Sequence, residues 1–147
     1  MATSFKICVD CADPHLLASF WAAALDYEIE DHAPLIRQLL DAGAVGPDDV
    51  TEVDGRLAFR AAAAIRDPAV PAPAVGQGGR VLFQVVPEPK SAKNRMHLDL
   101  HVPDQAATVA RLVELGATVT GHGEEGGRGW TVMADPEGNE FCVANAV

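Results

Sequence analysis

The residue types best suited to chemistry lie in two stretches, 5–10 and 95–102, where polar and apolar residues alternate. The polar members are Lys6, Cys8 and Asp10 in the first stretch and His97, Asp99 and His101 in the second. Alternation at every second residue is typical of a half-buried strand, so each trio is expected on one face of its strand. Imidazole titrates near neutral pH, which makes His97 a candidate general base, and Asp99 or Glu140 could adjust its pKa.

Each polar trio is followed by the same series of elements. Asp13 and Asp104 are placed to cap helices, because an aspartate side chain can accept hydrogen bonds from the free N–H groups of a first turn. Apolar residues at helical spacing follow each aspartate, and the helices are expected to end at Asp26 and at Gly116. Strand, cap, helix and stop occur twice in the same order, which indicates an internal duplication.

After its helix, the second half is predicted to continue as three strands, at 117–120, 129–134 and 139–144. A glycine-rich loop over 121–127 and a tight turn over 135–139 are predicted to connect these strands. The second half is therefore a β-α-β-β-β module.

The first half shows the same elements with an insertion. Residues 34–42 have apolar positions at helical spacing and predict an extra short helix. Strands are predicted at 50–53, 56–65 and 80–86, and a loop rich in proline and glycine at 67–79. The first two of these strands flank Asp54-Gly55, a strong hairpin signal. The sequence thus predicts an α+β fold built from two βαβββ modules.

Four segments of the chain contain motifs that are specific in combination. They are residues 13–25, 82–90, 94–101 and 134–142, and the Asp-Pro-Glu-Gly-Asn turn at 135–139 is the most specific part. Together with the two modules, these segments resemble the vicinal oxygen chelate superfamily, which includes glyoxalase I, extradiol dioxygenases and bleomycin-resistance proteins. The resemblance is strongest to its glyoxalase-like domain branch.

The resemblance implies a single domain over 1–147, with module one at about 1–89 and module two at about 94–147. In such a domain, the curved mixed sheets of the two modules surround a cleft. Members of the superfamily commonly form dimers, so the resemblance also implies a homodimer.

In metal-dependent members of the superfamily, the ligands come from the first and last strands of each module. The matching positions here hold Lys6, Gln84, His97 and Cys142. A cationic lysine offers no lone pair, a glutamine amide is a weak ligand, and one histidine with one cysteine falls short of a zinc site. The resemblance therefore implies that the metal site is lost and that there is no cofactor. A shifted site formed by His97, Asp99 and Glu140 is the alternative, because all three have cleft-facing parity.

The resemblance also implies that the polar strand faces line the cleft. A few convergent polar groups in a cleft are the usual basis of ligand binding. The residues expected to line it are Cys8, Asp10, Asp99, His101, Trp130, Glu140 and Cys142. A solvated sheet face is the alternative for the polar residues, and packing is the alternative for Trp130 and Cys142. In an enzyme, His97 would be the base and Lys6 or Gln84 would stabilise a developing oxyanion.

Composition narrows the partner class. The 147 residues include 11 Lys and Arg against 21 Asp and Glu, a net charge of −10, which argues against nucleic acid and against anionic membrane surfaces. Three cysteines do not suggest a disulfide framework, and no apolar run is long enough to span a membrane. We therefore expect a cytoplasmic protein with a small-molecule ligand.

The sequence favours a glyoxalase-like protein of unassigned activity that binds a small molecule in its cleft. Lys6, at a position where relatives place a metal ligand, favours an anionic or oxygen-rich molecule. Three alternatives remain open, and only the first of them is an enzyme. The first is a metal-independent lyase or isomerase with His97 as base, the second a drug-sequestering binder like the bleomycin-resistance proteins. The third is an accessory domain related to pterin dehydratase systems.

Overall fold

A computed structural model describes residue 3 and residues 5–71 and 79–147 of the chain. Part of the predicted loop at 67–79 therefore lies outside the described residues. The chain divides into two compact units, Met1–Pro87 and Glu88–Val147, each built on one four-stranded mixed sheet. Within the described ranges, no helix is long and apolar enough to cross a bilayer.

Within its described residues, the first unit contains six strands and two α-helices. In chain order these are β1 (Ile7–Cys11), α1 (Pro14–Leu25), β2 (Glu28–Ile29), α2 (Ala33–Asp41), β3 (Val50–Val53), β4 (Arg56–Phe59), β5 (Ala62–Arg66) and β6 (Arg80–Val85), with a short 3-10 turn at Pro47–Asp49. The sheet order is β1-β6-β5-β2, with β1 parallel to β6 and the other neighbours antiparallel. Strands β3 and β4 form a separate hairpin.

The second unit repeats this plan without the insertion. Its elements are β7 (Asp99–Val102), α3 (Gln105–Glu114), β8 (Thr118–Glu125), β9 (Arg128–Ala134) and β10 (Glu140–Asn145). The sheet order is β7-β10-β9-β8, again with the first and last strands parallel. Both sheets place the first strand beside the last, then the penultimate strand, then the second strand of the unit. The α+β fold class and the internal duplication are thus confirmed.

The helix boundaries follow from the capping residues. The Asp13 side chain accepts hydrogen bonds from the backbone N–H groups of His15 and Leu16, both at 3.0 Å, so α1 begins directly after it. Asp26 ends that helix in the left-handed region, with φ 55°. Asp104 repeats the first role by accepting the N–H of Ala107 at 2.9 Å at the start of α3.

One predicted strand and one predicted loop have different boundaries in the structure. The strand predicted at 56–65 is interrupted between Phe59 and Ala62, so that β4 pairs with β3 while β5 joins the main sheet. The loop predicted at 121–127 is wrong, because β8 continues to Glu125 opposite β9. The strands are joined by Gly126 and Gly127, both with positive φ, which is the backbone that a tight hairpin turn requires.

The alternating stretch at 95–102 forms a shorter strand than predicted. Pairing with β10 begins where Cys142 lies opposite Asp99, so the residues before Asp99 have no continuous ladder. Met96, predicted on the apolar face, is 88% exposed. Phe5 is an apolar position of the other alternating stretch, and it is 73% exposed because β1 begins only at Ile7. An alternating pattern does not make a strand where no partner strand extends alongside it.

Each unit has its own apolar core between helix and sheet. Helix α1 lies against β5 and β6 and buries Leu17, Phe20 and Trp21. The rings of Phe20 and Trp21 meet edge to face, with centroids 5.2 Å apart. In the second unit, α3 lies against β8, β9 and β10. Its side chain Leu112 is fully buried, as are Met133 of β9 and Val143 of β10.

A half-buried ion pair connects the end of β2 to β6 in the first unit. Glu30 accepts two hydrogen bonds from the Arg80 guanidinium, at 2.7 and 2.8 Å, and a third from His32 Nε2 at 2.9 Å. Burial alone would raise the pKa of Glu30, but the hydrogen bonds and charge of Arg80, together with His32, hold that pKa below its usual value. The ionised carboxylate is therefore the form that the fold favours.

We predict that Glu30→Gln lowers the free energy of unfolding by about 2 kcal/mol at pH 7, because charged hydrogen bonds to Arg80 are lost. Since the folded pKa lies below the ordinary 4.5, the contribution is complete above that pH and disappears as the pH falls through the lowered pKa. Urea unfolding at pH 7 and pH 3 measures both effects. The matched control is Glu28→Gln, which breaks an exposed pair with Arg66 and should cost about 0.5 kcal/mol. Equal losses in the two variants would contradict the assignment.

Candidate functional site

The second sheet has one face covered by α3 and one polar face. Strand registers place Cys142 opposite both Asp99 and Val132, and Ala144 opposite both His101 and Trp130. Side chains of directly paired residues share a face. We call this surface the polar face, defined by His97, Asp99, His101, Trp130 and Cys142. Five of the predicted site residues are therefore brought together in one unit.

His97 and Asp99 form a pair at the edge of the polar face. His97 Nδ1 lies 2.9 Å from Asp99 Oδ1, and because a carboxylate only accepts, Nδ1 carries the proton of this bond. In the neutral ring, the lone pair is then on Nε2. The side chains are 38% and 56% exposed, so the pair is open to a ligand. A carboxylate that orients an imidazole in this way is the arrangement expected of a general base.

Cys142 lies beside Asp99 in the parallel ladder between β7 and β10. Burial raises the pKa of the Cys142 thiol, and the charge and hydrogen bond of Asp99 raise it further, against a smaller opposing effect of Lys93. The sulfur is therefore a protonated thiol at neutral pH and a poor nucleophile. A protonated thiol is compatible with the alternative in which Cys142 is a packing residue and no metal ion is bound.

The Trp130 indole lies against the backbone of β8 at Gly123. A Cβ atom added to Gly123 would be 2.3 Å from the nearest indole carbons, so only glycine allows the ring to lie there. Trp130 is half-buried and shares the polar face with Cys142 and His101. One side of the indole ring therefore packs on Gly123, and the rest of the ring remains available for contact with a ligand.

Glu140 has a structural role that the sequence did not reveal. Its carboxylate accepts the backbone N–H of Asn94 at 2.9 Å and contacts Lys90 Nζ at 3.2 Å. The N–H of Asn94 and the charge of Lys90 outweigh burial and lower the pKa of Glu140 to about 2. Glu140 thus connects the segment before β7 to the start of β10. The shifted cluster that the structure assembles consists of His97 and Asp99 with Cys142, while Glu140 has these other partners.

The remaining predicted residues lie in the first unit. Asp10 and Gln84 are opposite each other on β1 and β6, and Gln84 Nε2 donates to Asp10 Oδ1 at 2.9 Å. Cys8 is exposed on the same strand face as Asp10, and Lys6 is exposed just before β1. A cationic amine and an amide already bonded to a carboxylate do not suit a divalent metal, so the four-position set of the superfamily is a poor fit in this chain.

Sequence reasoning missed a small cavity of about 80 Å³ in the first unit, next to the hairpin of β3 and β4. Two histidines line it: His15 donates through Nε2 to the Phe59 carbonyl at 2.9 Å, and His32 is bonded to Glu30. Neither histidine lies in an alternating or helical pattern that would single it out. The only signal was the insertion itself, which has no counterpart in the second half.

A family model described as a glyoxalase-like domain matches residues 6–144 of the chain. The chain belongs to the glyoxalase-like domain family. It is accordingly a member of the vicinal oxygen chelate superfamily, as the motifs predict. A sequence comparison with curated proteins gives no match.

Solved structures share the fold of this glyoxalase-like domain at low identity. One is a glyoxalase/bleomycin resistance protein/dioxygenase family enzyme from Burkholderia phytofirmans, with a TM-score of 0.60 and 14% identity, covering 99% of this chain and 100% of that one. A bleomycin-binding protein from Streptomyces verticillus, solved with copper(II)-bleomycin, has a TM-score of 0.54 and 15% identity, with 100% and 98% covered. The Leishmania major glyoxalase I has a TM-score of 0.54 and 12% identity, with 99% and 87% covered. At these identities the similarity establishes the fold alone.

We predict that Gly123→Ala displaces the Trp130 indole and lowers the free energy of unfolding by about 1–3 kcal/mol, because the new methyl group overlaps the ring. Acrylamide quenching of tryptophan fluorescence should increase, since Trp130 loses its cover while Trp21 stays buried. Gly121→Ala is the matched control, because its Cβ would have no neighbour within 4 Å. Identical quenching in both variants would contradict the placement of Trp130.

Proposed function

We propose that the glyoxalase-like domain binds a small molecule over the polar face of its second sheet. The observation that carries the proposal is the Trp130 ring, held against Gly123 on the same face as His101 and Cys142. An apolar ring surface beside a few directed polar groups is the usual composition of a ligand site. Aromatic rings also contribute contact area at low entropic cost.

The donors on this face favour an oxygen-rich ligand. His101 can donate a hydrogen bond to a ligand, whereas the single S–H of Cys142 is already bonded to Asp99. The Asp99 carboxylate also accepts the hydrogen bond of His97. An anionic ligand is supported by Lys93, an exposed cation of the same unit whose charge acts on the Cys142 thiol. The ligand class that we propose is therefore a small anionic or oxygen-rich molecule with a planar part that can stack on indole.

The related structures support a binding role by analogy. The Streptomyces verticillus protein of the same fold binds bleomycin, so the fold can serve a function of sequestration. Enzymes occur among the related structures as well, including a glyoxalase I. These related structures support small-molecule binding in general, and the ligand class is inferred from the residues of this chain.

A second candidate function is a metal-independent lyase or isomerase. The specific observation in its favour is the 2.9 Å pair of His97 and Asp99, which leaves Nε2 as a proton acceptor. In this mechanism, His97 Nε2 removes a proton from the bound substrate, and the Asp99 carboxylate stabilises the imidazolium that forms. The mechanism requires only residues of this chain and their protons.

We predict that Trp130→Ala weakens binding about ten-fold, because an aromatic contact worth about 1.4 kcal/mol is removed. Calorimetric titration with copper(II)-bleomycin and with 2-hydroxybenzoate, a small anionic aromatic probe, measures the affinity. Asp41→Asn, at the exposed end of α2 in the first unit, is the control and should leave the affinity unchanged. Binding of either probe that is insensitive to Trp130→Ala would place the site elsewhere.

His97→Ala separates the two candidate functions once a ligand is found. An enzyme would keep its affinity and lose turnover, because the base is removed after binding. A binding protein would lose affinity and show no turnover in either form. The homodimer implied by the superfamily stays a prediction. Light scattering would show it as twice the 15.5 kDa chain mass.

A further inference from the structure

Three donor atoms of different chemistry converge within the second unit. They are an imidazole nitrogen of His97, a carboxylate oxygen of Asp99 and the sulfur of Cys142, and all lie within 4.8 Å of one another. The backbone holds the cluster in place, because the ladder sets Cys142 opposite Asp99 and the Cys142 N–H donates to Leu98 O at 2.9 Å. Leu98 is the residue between the other two members.

We propose that His97, Asp99 and Cys142 form a binding site for a borderline-soft divalent metal ion, with Zn²⁺ as the preferred ion. The inference goes beyond the proposed small-molecule function and does not depend on it. His97 and Cys142 belong to the four-position set of the superfamily, but Asp99 does not. The proposed site differs from that set because all three ligands come from one unit and Lys6 and Gln84 take no part.

The distances suit such an ion. Zinc bonds of about 2.0–2.3 Å in tetrahedral geometry place neighbouring ligand atoms about 3.3–3.8 Å apart. The existing 2.9 Å between His97 and Asp99 and the 4.8 Å limit of the cluster fall on either side of this range. Both side chains are substantially exposed, so small rotations can adjust them without disturbing the core. A fourth coordination position would remain open to water on the exposed side.

The donor types determine the class of ion. Sulfur and imidazole nitrogen favour zinc and its neighbours in the first transition row, whereas calcium takes six to eight oxygen ligands and magnesium prefers an octahedral oxygen set. On binding, the Cys142 thiol releases its proton to solvent and coordinates as thiolate. The thiolate and the Asp99 carboxylate then balance the double positive charge of the ion.

The experiment uses the full chain after dialysis against a chelator. Titration with Co²⁺ should produce a near-ultraviolet thiolate-to-cobalt absorption band that saturates at one ion per chain. Calorimetric titration with Zn²⁺ should give the same stoichiometry. The band should be absent from Cys142→Ser and retained in Cys8→Ser, the matched control at an exposed cysteine of the first unit.

Two further variants test the other ligands and protect against a folding artefact. His97→Ala and Asp99→Asn should each weaken Zn²⁺ binding at least ten-fold while circular dichroism stays native, since both residues are exposed. Absence of a cobalt–thiolate band in the wild-type chain, or Zn²⁺ affinity unchanged in all three variants, would overturn the proposal. Trp130→Ala should leave Zn²⁺ binding intact, so failure of the small-molecule proposal and failure of the metal proposal are distinguishable.

Discussion

The parallel pairing of the first and last strands in each unit is the constraint on which the site geometry depends. Parallel neighbours need a long crossover between them, and each unit supplies it with a helix and the two remaining strands of the sheet. Residues far apart in sequence thereby become direct neighbours. Gln84 meets Asp10 in the first unit, and Cys142 meets Asp99 in the second. Without this pairing, neither polar pair would exist.

The register of the last strand is set by the turn that precedes it. Asp135 is only 4% exposed, and its carboxylate accepts the N–H groups of Glu137 and Asn139 as well as the side-chain amide of Asn139. A buried carboxylate with this many donors holds the turn in one conformation. Directly after it, Glu140 bonds to Asn94 and so anchors the approach to β7. The motif that identifies the family is therefore also the element that positions Cys142.

Much of the fold was predictable because its signals are local. The caps at Asp13 and Asp104, and the left-handed stop at Asp26, depend only on neighbouring backbone groups. The errors arose where local composition competes with pairing. Glycine-rich 121–127 suggests a loop, yet β9 supplies a partner strand and the segment forms a hairpin. Around Met96 the opposite holds, since an alternating pattern has no partner strand beside it and the side chain remains exposed.

The sequence by itself determined the order of the elements, the duplication, the family and the parity that puts Asp99, His101 and Cys142 on one face. Only the tertiary structure decided which of these residues touch. It paired His97 with Asp99, engaged Glu140 with Asn94 and Lys90, and laid Trp130 on Gly123. The physical reason is that side-chain periodicity defines a face, whereas neighbours across strands depend on register, which turns and long-range hydrogen bonds establish.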